Sequence, residues 1–262
     1  MGLEKIATAF AQSRAQGRPA LMPYWPLGYP TAGASVRVIE AIVRAGADMI
    51  ELGVPFSDPL ADGVVIQKAT QIALAHGITV AGCIDLAAQL RARGVAIPLF
   101  AMGYMNPLMA CGEARYVDAW HAAGVDGLIV PDLPPEDSGE LGALCAARGM
   151  ALVQFAAPTS TEARLSLSTA HASGFVYVVQ VAGVTGARAA LATGLREYVE
   201  RVKLHARTKP VVVGFGISTA AHVREIGTYA DGAIVASALI RHAGEAADPA
   251  QAAFEFVREL RG

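Results

Sequence analysis

The chain has 262 residues, 53% of them apolar, and a formal net charge of −2 at pH 7. No block of basic residues is present, which argues against a nucleic-acid-binding protein. The longest apolar runs, such as 127–131 and 210–215, are far shorter than the roughly 18–20 residues of a membrane-spanning helix, and no signal peptide is recognisable. The three cysteines are widely spaced and form no CxxC motif, so we expect a cytoplasmic protein with reduced thiols.

The first element predicted along the chain is a helix over residues 3–15, expected to cap the bottom of a barrel. After it, short apolar runs alternate with helical stretches, which is typical of βα units whose strands are buried on both faces. Strands are predicted near residues 20–25, 49–53, 97–102, 127–131, 151–156, 175–180, 211–214 and 232–236. Helices are predicted at 35–45, 79–93, 114–123, 136–147, 160–172, 189–206, 219–227 and 248–260.

One local pattern recurs before several of these strands. A small pair such as Ala-Gly is followed by Asp and then by an apolar run, in copies that begin at Arg44, Ala123 and Tyr229, and Ser173 begins a looser copy. Eight βα units without a linker or a break in composition predict one (β/α)8 TIM barrel domain over 1–262. The long gap between the second and third strands predicts an extra helix there. An open doubly wound sheet is the alternative.

A carboxylate interrupts the second predicted strand. The two-residue period of a strand places Glu51 on the same face as Met49 and Gly53, which would point into the barrel. Burial there would raise the pKa of Glu51 toward the range used in acid–base catalysis. The alternative is a structural glutamate paired with a basic residue. The loop that follows offers Asp58 or Asp62 as a second carboxylate over the barrel mouth, unless both only cap turns.

Two segments near the end of the chain suit a phosphate group. Residues 214–218 (Gly-Phe-Gly-Ile-Ser) follow the seventh strand, and residues 236–239 (Ala-Ser-Ala-Leu) follow the eighth. Phosphate sites recur at these two places in barrels of this kind. The glycine-containing loop 181–188 after the sixth strand suits a lid, although an ordinary βα turn is the alternative. The histidines lack metal-ligand spacing, so no metal site is predicted.

Five segments, taken together, resemble the tryptophan synthase alpha chain family. The longest is 51–63 (Glu-Leu-Gly-Val-Pro-Phe-Ser-Asp-Pro-Leu-Ala-Asp-Gly), and the others are 102–107, 131–135, 183–186 and 214–218. The first is highly specific, whereas the others would be weak alone, and all occur in the family's order over nearly the whole chain. The resemblance implies a lyase of tryptophan biosynthesis that splits indole-3-glycerol phosphate into indole and glyceraldehyde 3-phosphate by a retro-aldol reaction.

The resemblance also implies roles for individual residues. Glu51 would move protons between the substrate's side-chain hydroxyl and indole carbon 3. Asp62 would hold the indole N–H and stabilise the cationic intermediate. The residues implied to line the indole pocket are Tyr24, Met102, Ile129, Phe155, Tyr177, Thr185 and Phe215. Those implied to bind the phosphate are Gly186, Gly216, Ala236 and Ser237.

A partner follows from the same resemblance. The family passes indole through a tunnel to a beta subunit, so an alpha2-beta2 heterotetramer is expected, with pyridoxal phosphate (PLP) in the beta subunit and no cofactor in this chain. The positions that match this interface are Pro55, Asp58, Asn106, Pro107 and Pro134.

The sequence departs from the family pattern at a few positions. Ala236 replaces the usual Gly before the phosphate-binding Ser, Val64 replaces a Pro, and Gln180 and Val181 differ at the start of the lid. A methyl group at residue 236 would crowd the phosphate, or strain the backbone if its φ were positive. Three alternatives therefore stay open: a free-standing lyase, a weakly catalytic partner of a beta subunit, and another phosphate-binding barrel such as a sugar-phosphate isomerase.

Overall fold

The computed structural model describes residues 2–179, 193–214 and 216–262. Its strands form a closed parallel barrel, in which each strand pairs with the next and the last pairs with the first. The (β/α)8 prediction is therefore confirmed, and the open sheet is excluded. The strands are β1 (Ala20–Pro26), β2 (Ile50–Gly53), β3 (Leu99–Met102), β4 (Gly127–Ile129), β5 (Ala151–Ala156), β6 (Val176–Val178), β7 (Val211–Val213) and β8 (Gly232–Val235).

Helices surround the barrel in the order expected for βα units. They are α1 (Gly2–Ala15), α2 (Ala32–Arg44), α3 (Val64–Ala75), α4 (Val80–Ala92), α5 (Met105–Cys111), α6 (Glu113–Ala122), α7 (Gly139–Ala146), α8 (Glu162–His171), α9 (Leu195–Ala206), α10 (Ala220–Ile226), α11 (Ser237–Ala243) and α12 (Pro249–Arg261). The extra helix predicted between β2 and β3 is confirmed, since both α3 and α4 lie there. The short helix α5 was not predicted. None of the described helices is by itself long and apolar enough to cross a membrane; α3 and α4 reach that length only together, and they are bent by 99° at their break.

The recurring Asp has one structural function at the amino-terminal end of the barrel. Asp48 accepts a hydrogen bond from the backbone N–H of Leu21 at 2.8 Å. Asp126 does the same for Leu99 at 3.0 Å, and Asp231 does so for Val211 at 2.9 Å. In the looser copy, the Ser173 hydroxyl accepts from Leu152 N–H at 2.8 Å. Each motif thus joins the start of its own strand to the start of the preceding strand. These contacts satisfy backbone donors that the barrel would otherwise bury.

Apolar side chains fill the inside of the barrel. Met22, Met49, Phe100, Ile129 and Phe175 belong to one fully buried interior cluster. Residues of α1 close this cluster from below, with Phe10 packing edge-on against Phe175 at a ring separation of 6.1 Å. The interior below the strand ends is therefore a packed core rather than a channel, and any site must lie above it, at the carboxyl ends of the strands.

Several strands are shorter than their apolar runs suggested. The fourth was predicted to reach residue 131 but ends at Ile129. Pro131 has no N–H to donate to a neighbouring strand. Val130 is nevertheless buried, in the cluster between the barrel and its helices. Apolar character marks burial, whereas a strand ends where its hydrogen-bonded register ends.

Candidate active site

A cavity of about 660 Å³ opens at the carboxyl ends of the strands. Glu51 of β2 lies at its base and is buried, with only 1% of its surface exposed. Burial, with a smaller contribution from the negative charge of Asp62, raises the pKa of Glu51 from 4.5 to about 8. Its Oε1 atom has no hydrogen-bond partner among the described residues. The structural alternative required a basic partner for Glu51, and the described part of the chain supplies none.

Two tyrosines flank Glu51 within the barrel mouth. Tyr24 of β1 lies beside Glu51 in the strand register. Tyr177 of β6 stacks on Phe155 of β5 with ring centroids 4.9 Å apart. Burial raises the pKa of both tyrosines, and the charges of the two nearby carboxylates add to the shift. Both phenols therefore remain neutral, so the walls around Glu51 are aromatic and uncharged.

Glycines at two strand ends make room for these rings. A Cβ atom at position 53 would lie 2.1 Å from the Tyr24 hydroxyl. A Cβ atom on Gly214 would lie 2.1 Å from a Tyr177 ring carbon. Neither position accepts a side chain unless a tyrosine moves. The glycine in each motif is thus required by close packing across the cavity.

Asp62 provides the second carboxylate of the cavity. It lies in the loop between β2 and α3 and is half-buried. Desolvation raises the pKa of Asp62 from 3.8 to about 6, while a hydrogen bond from Tyr104 acts in the opposite direction. The Tyr104 hydroxyl also accepts a hydrogen bond from Ala61 N–H at 3.1 Å. Tyr104, at the start of α5, therefore holds the loop that carries Asp62.

The two carboxylates differ in protonation at neutral pH. With a pKa of about 8, Glu51 is mostly protonated, whereas Asp62, with a pKa of about 6, is mostly ionised. Two titratable groups whose environments separate their pKa values are suited to distinct acid and base roles. Among the described residues, no three His, Cys, Asp or Glu side chains come together as metal ligands.

The other side of the cavity is formed by the segments after β7 and β8. Gly216, Ala236 and Ser237 all line it, as predicted for a phosphate site. Ala236 has φ −120°, so its methyl group causes no left-handed strain. Ser218 and Arg241 line the same side. The cavity thus places two carboxylates on one side and small residues with a cation on the other.

Comparisons with known proteins agree with this geometry. The family model of the tryptophan synthase alpha chain matches residues 10–261. The chain belongs to the tryptophan synthase alpha chain family. The alpha chain of Roseiflexus castenholzii is 53% identical over 99% of this chain and 100% of its own length. Saccharomyces cerevisiae tryptophan synthase is 37% identical over 93% of this chain but only 34% of its own. A solved structure of Mycobacterium tuberculosis tryptophan synthase superposes with a TM-score of 0.90 at 36% identity, covering 97% of this chain and 96% of that one.

Most of the alpha-chain site residues expected from the sequence converge on the cavity. Those that line it are Tyr24, Glu51, Asp62, Met102, Phe155, Tyr177, Gly216, Ala236 and Ser237. Thr185, Gly186 and Phe215 lie outside the described residues, as do Gln180 and Val181 of the expected lid. Ile129 does not line the cavity. Its side chain is fully buried in the interior cluster, and Pro131, two residues further along, lines the cavity instead.

The residues alone left the second carboxylate open between two aspartates, the family resemblance implied Asp62, and the structure separates the two. Asp62 lines the cavity, whereas Asp58 is exposed and accepts a hydrogen bond from the Ser57 hydroxyl at 2.5 Å. Of the other residues expected to face a beta subunit, Asn106 is exposed, and Pro107 and Pro134 are half-buried. Pro55 is buried within the chain and offers a partner little surface.

Sequence analysis missed Tyr104, Ser218 and Arg241. Tyr104 lies inside the family-like segment 102–107, but nothing local in that segment indicates contact with the Asp62 loop. Ser218 ends a segment that was already singled out for phosphate. Arg241 follows Ser237 by four residues, which is one helical turn, so helix periodicity offered a signal for it.

Proposed function

We propose that Glu51 and Asp62 carry out the retro-aldol cleavage of indole-3-glycerol phosphate in this lyase subunit of tryptophan biosynthesis. The observation that carries the proposal is a pair of carboxylates in one cavity, one mostly protonated and one mostly ionised near pH 7. The reaction needs a proton donor at indole carbon 3 and a fixed negative charge near the indole nitrogen. The two groups have the protonation states that these roles require.

The steps balance in protons and electrons. Protonated Glu51 donates its proton to indole carbon 3, and positive charge develops on the ring nitrogen. Ionised Asp62 offsets that charge and accepts a hydrogen bond from the indole N–H. Glu51, now a carboxylate, takes the proton of the hydroxyl next to the breaking bond. The carbon–carbon bond then breaks, its electron pair returns to the indole ring, and the hydroxyl carbon becomes the aldehyde of glyceraldehyde 3-phosphate.

The cavity supports this chemistry in two further ways. Its aromatic walls, Tyr24, Phe155 and Tyr177, suit a flat apolar indole. The opposite side, with Gly216 and Ser237, suits the phosphate. The substrate matches this arrangement, because it carries an apolar indole at one end and a charged phosphate at the other.

Indole release from indole-3-glycerol phosphate tests the proposal. We expect Glu51→Gln and Asp62→Asn each to lower kcat by roughly 10²–10⁴-fold, the range for loss of one acid–base group. Glu197→Gln removes an exposed carboxylate on α9 and is the matched control. Full indole release by Glu51→Gln, with its fold verified by circular dichroism, would refute the assignment.

We also propose that the chain works with a PLP-containing beta subunit in an alpha2-beta2 heterotetramer. Apolar side chains are exposed near the cavity side of the barrel, with exposed fractions of 91% for Leu60, 69% for Val64 and 64% for Met109. Exposed apolar side chains that cluster on one face are a common feature of association sites. The yeast relative, about three times as long as the match, carries further sequence in one chain. The free cysteines support a reducing compartment, so the cytoplasm is the proposed location.

Adding a beta subunit to the indole-release assay separates this proposal from a free-standing lyase. Faster indole release together with co-elution in gel filtration supports the heterotetramer. An unchanged rate and separate elution at micromolar concentrations indicate a free-standing lyase.

A further inference from the structure

The charges lining the cavity are unevenly distributed. Glu51 and Asp62 lie on one side, and Arg241 is the only positively charged side chain among the described residues that line it. Within the described lining, this arginine is therefore the only positive charge that an anionic ligand can contact. The location matters because the ligand of the proposed function carries a phosphate.

The guanidinium of Arg241 is free to bind a ligand. Arg241 is exposed, and no described residue forms a hydrogen bond or ion pair with it. Several other arginines near the ends of helices are engaged in ion pairs: Arg14 with Asp231, Arg91 with Asp126 and Arg261 with Asp48. A cation that borders a cavity without an internal partner is not needed to hold the fold together.

Arg241 is also placed next to the small residues that line its side of the cavity. It follows Ser237 by four residues on α11, so the two side chains share one face of the helix. Both border the cavity, together with Ala236 at the end of β8. An anion held at this side of the cavity would therefore have a guanidinium within one helical turn of Ser237. Guanidinium groups bind phosphate oxygens through two parallel hydrogen bonds.

We propose that Arg241 binds the phosphate of the substrate and thereby selects phosphorylated over unphosphorylated ligands. The proposal rests on the proposed function and names a binding residue for the same cavity. Arg241 makes no contact with the reacting carbon atoms in this assignment. Its loss should therefore affect KM and ligand affinity more than kcat.

Calorimetric titration with glycerol 3-phosphate tests the proposal directly. We expect Arg241→Gln to weaken binding by about tenfold, as for the loss of one charge-assisted hydrogen bond at a partly open site. Arg241→Lys keeps the charge but not the planar guanidinium, so its affinity for glycerol 3-phosphate should lie between those of the wild type and Arg241→Gln. Raising the salt concentration should weaken binding to the wild-type protein more than to Arg241→Gln. Arg44→Gln, which changes an exposed arginine at the end of α2, just before β2 begins and away from the cavity, is the control.

The outcomes separate this inference from the proposed function. If Arg241→Gln binds glycerol 3-phosphate as tightly as the wild type while the wild type releases indole, only the role of Arg241 is wrong. If the wild type neither binds glycerol 3-phosphate nor releases indole, the proposed function fails, and the inference fails with it. Equal weakening by Arg44→Gln indicates a general charge effect and also overturns the role of Arg241.

Discussion

Acidic side chains at the two ends of the barrel differ in whether they have hydrogen-bonding and basic partners. At the amino-terminal end, Asp126 accepts a backbone N–H and pairs with Arg91 at 2.5 Å and with Lys5 at 3.3 Å. Asp48 similarly pairs with Arg18 through two hydrogen bonds of 2.7 and 2.8 Å. At the carboxyl end, Glu51 is buried with an oxygen atom that has no partner in the described chain.

This difference separates carboxylates that stabilise the fold from the carboxylate that the proposed function uses for chemistry. A buried carboxylate with its charge neutralised and its lone pairs satisfied holds strands together. A buried carboxylate without a partner costs stability whenever it is ionised, and it is retained where that altered pKa has a use. Carboxylate side chains thus have a structural role at one end and, in the proposed function, a catalytic role at the other.

The largest expected effect on stability is at the amino-terminal end. Asp126→Ala leaves the half-buried Arg91 without its counterion and Leu99 N–H without its acceptor, so we expect the free energy of unfolding to fall by about 3 kcal/mol. Urea denaturation measures it. Asp118→Ala, which removes an exposed partner of Arg148, should have little effect. A small loss for Asp126→Ala would mean that the two ends do not differ in this way.

At the carboxyl end, removing the carboxylate is expected to raise the free energy of unfolding at alkaline pH rather than lower it. The pKa of Glu51 in the folded chain is about 8, above its ordinary 4.5, so the folded state loses stability as pH rises between these values. Glu51→Gln cannot ionise and should lose less stability over this range, becoming more stable than the wild type by about 1–2 kcal/mol near pH 9. Thermal unfolding at several pH values measures the difference. Parallel pH profiles for the two proteins would contradict an unpaired buried carboxylate.

Removing one hydroxyl group should shift the pH dependence of activity. Tyr104 lowers the pKa of Asp62, so Tyr104→Phe should raise it above its value of about 6. The acid limb of kcat/KM should then move up by about 0.5–1 pH unit, with activity recovering at higher pH. Tyr229→Phe, at the opposite end of the barrel, is the control. An equal loss at every pH would instead indicate that Tyr104 only supports the local structure.

The smallest change in the free energy of unfolding is expected at Ser173, where the repeated motif has a hydroxyl in place of a carboxylate. Ser173→Ala removes the acceptor of Leu152 N–H, and we expect a loss of about 1 kcal/mol, less than for Asp126→Ala. Urea denaturation under the same conditions gives the comparison. A loss equal to that of Asp126→Ala would show that the ion pairs add nothing to the backbone contact.

Much of the fold was predictable because its signals are local. Apolar runs, small residues at helix ends and the recurring Asp each depend on a few neighbouring residues, and eight copies of one unit leave few ways to arrange them. Glu51 was also recognisable, since a carboxylate in the middle of a buried strand is rare. The family-like segment 51–63 then directed attention to the correct loop.

Other features depended on residues that are distant in the chain. Ile129 has the same apolar character as the cavity-lining residues, and only the packing of the barrel shows that it belongs to the interior cluster. Asp58 and Asp62 are equivalent in a local reading, and the contact of Tyr104 with the loop distinguishes them. Strand ends were overestimated because buried residues such as Val130 extend beyond the hydrogen-bonded register.

The sequence by itself determined the repeated βα unit, including its recurring Asp, and the unusual carboxylate on the second strand. The closed barrel decided which side chains line one cavity: Glu51 and Asp62 on one side, and the helix residues Ser237 and Arg241 on the other. The physical reason is that backbone periodicity and burial are set by near neighbours, whereas the pKa of a carboxylate is set by every group and every water molecule that the fold brings near it or excludes.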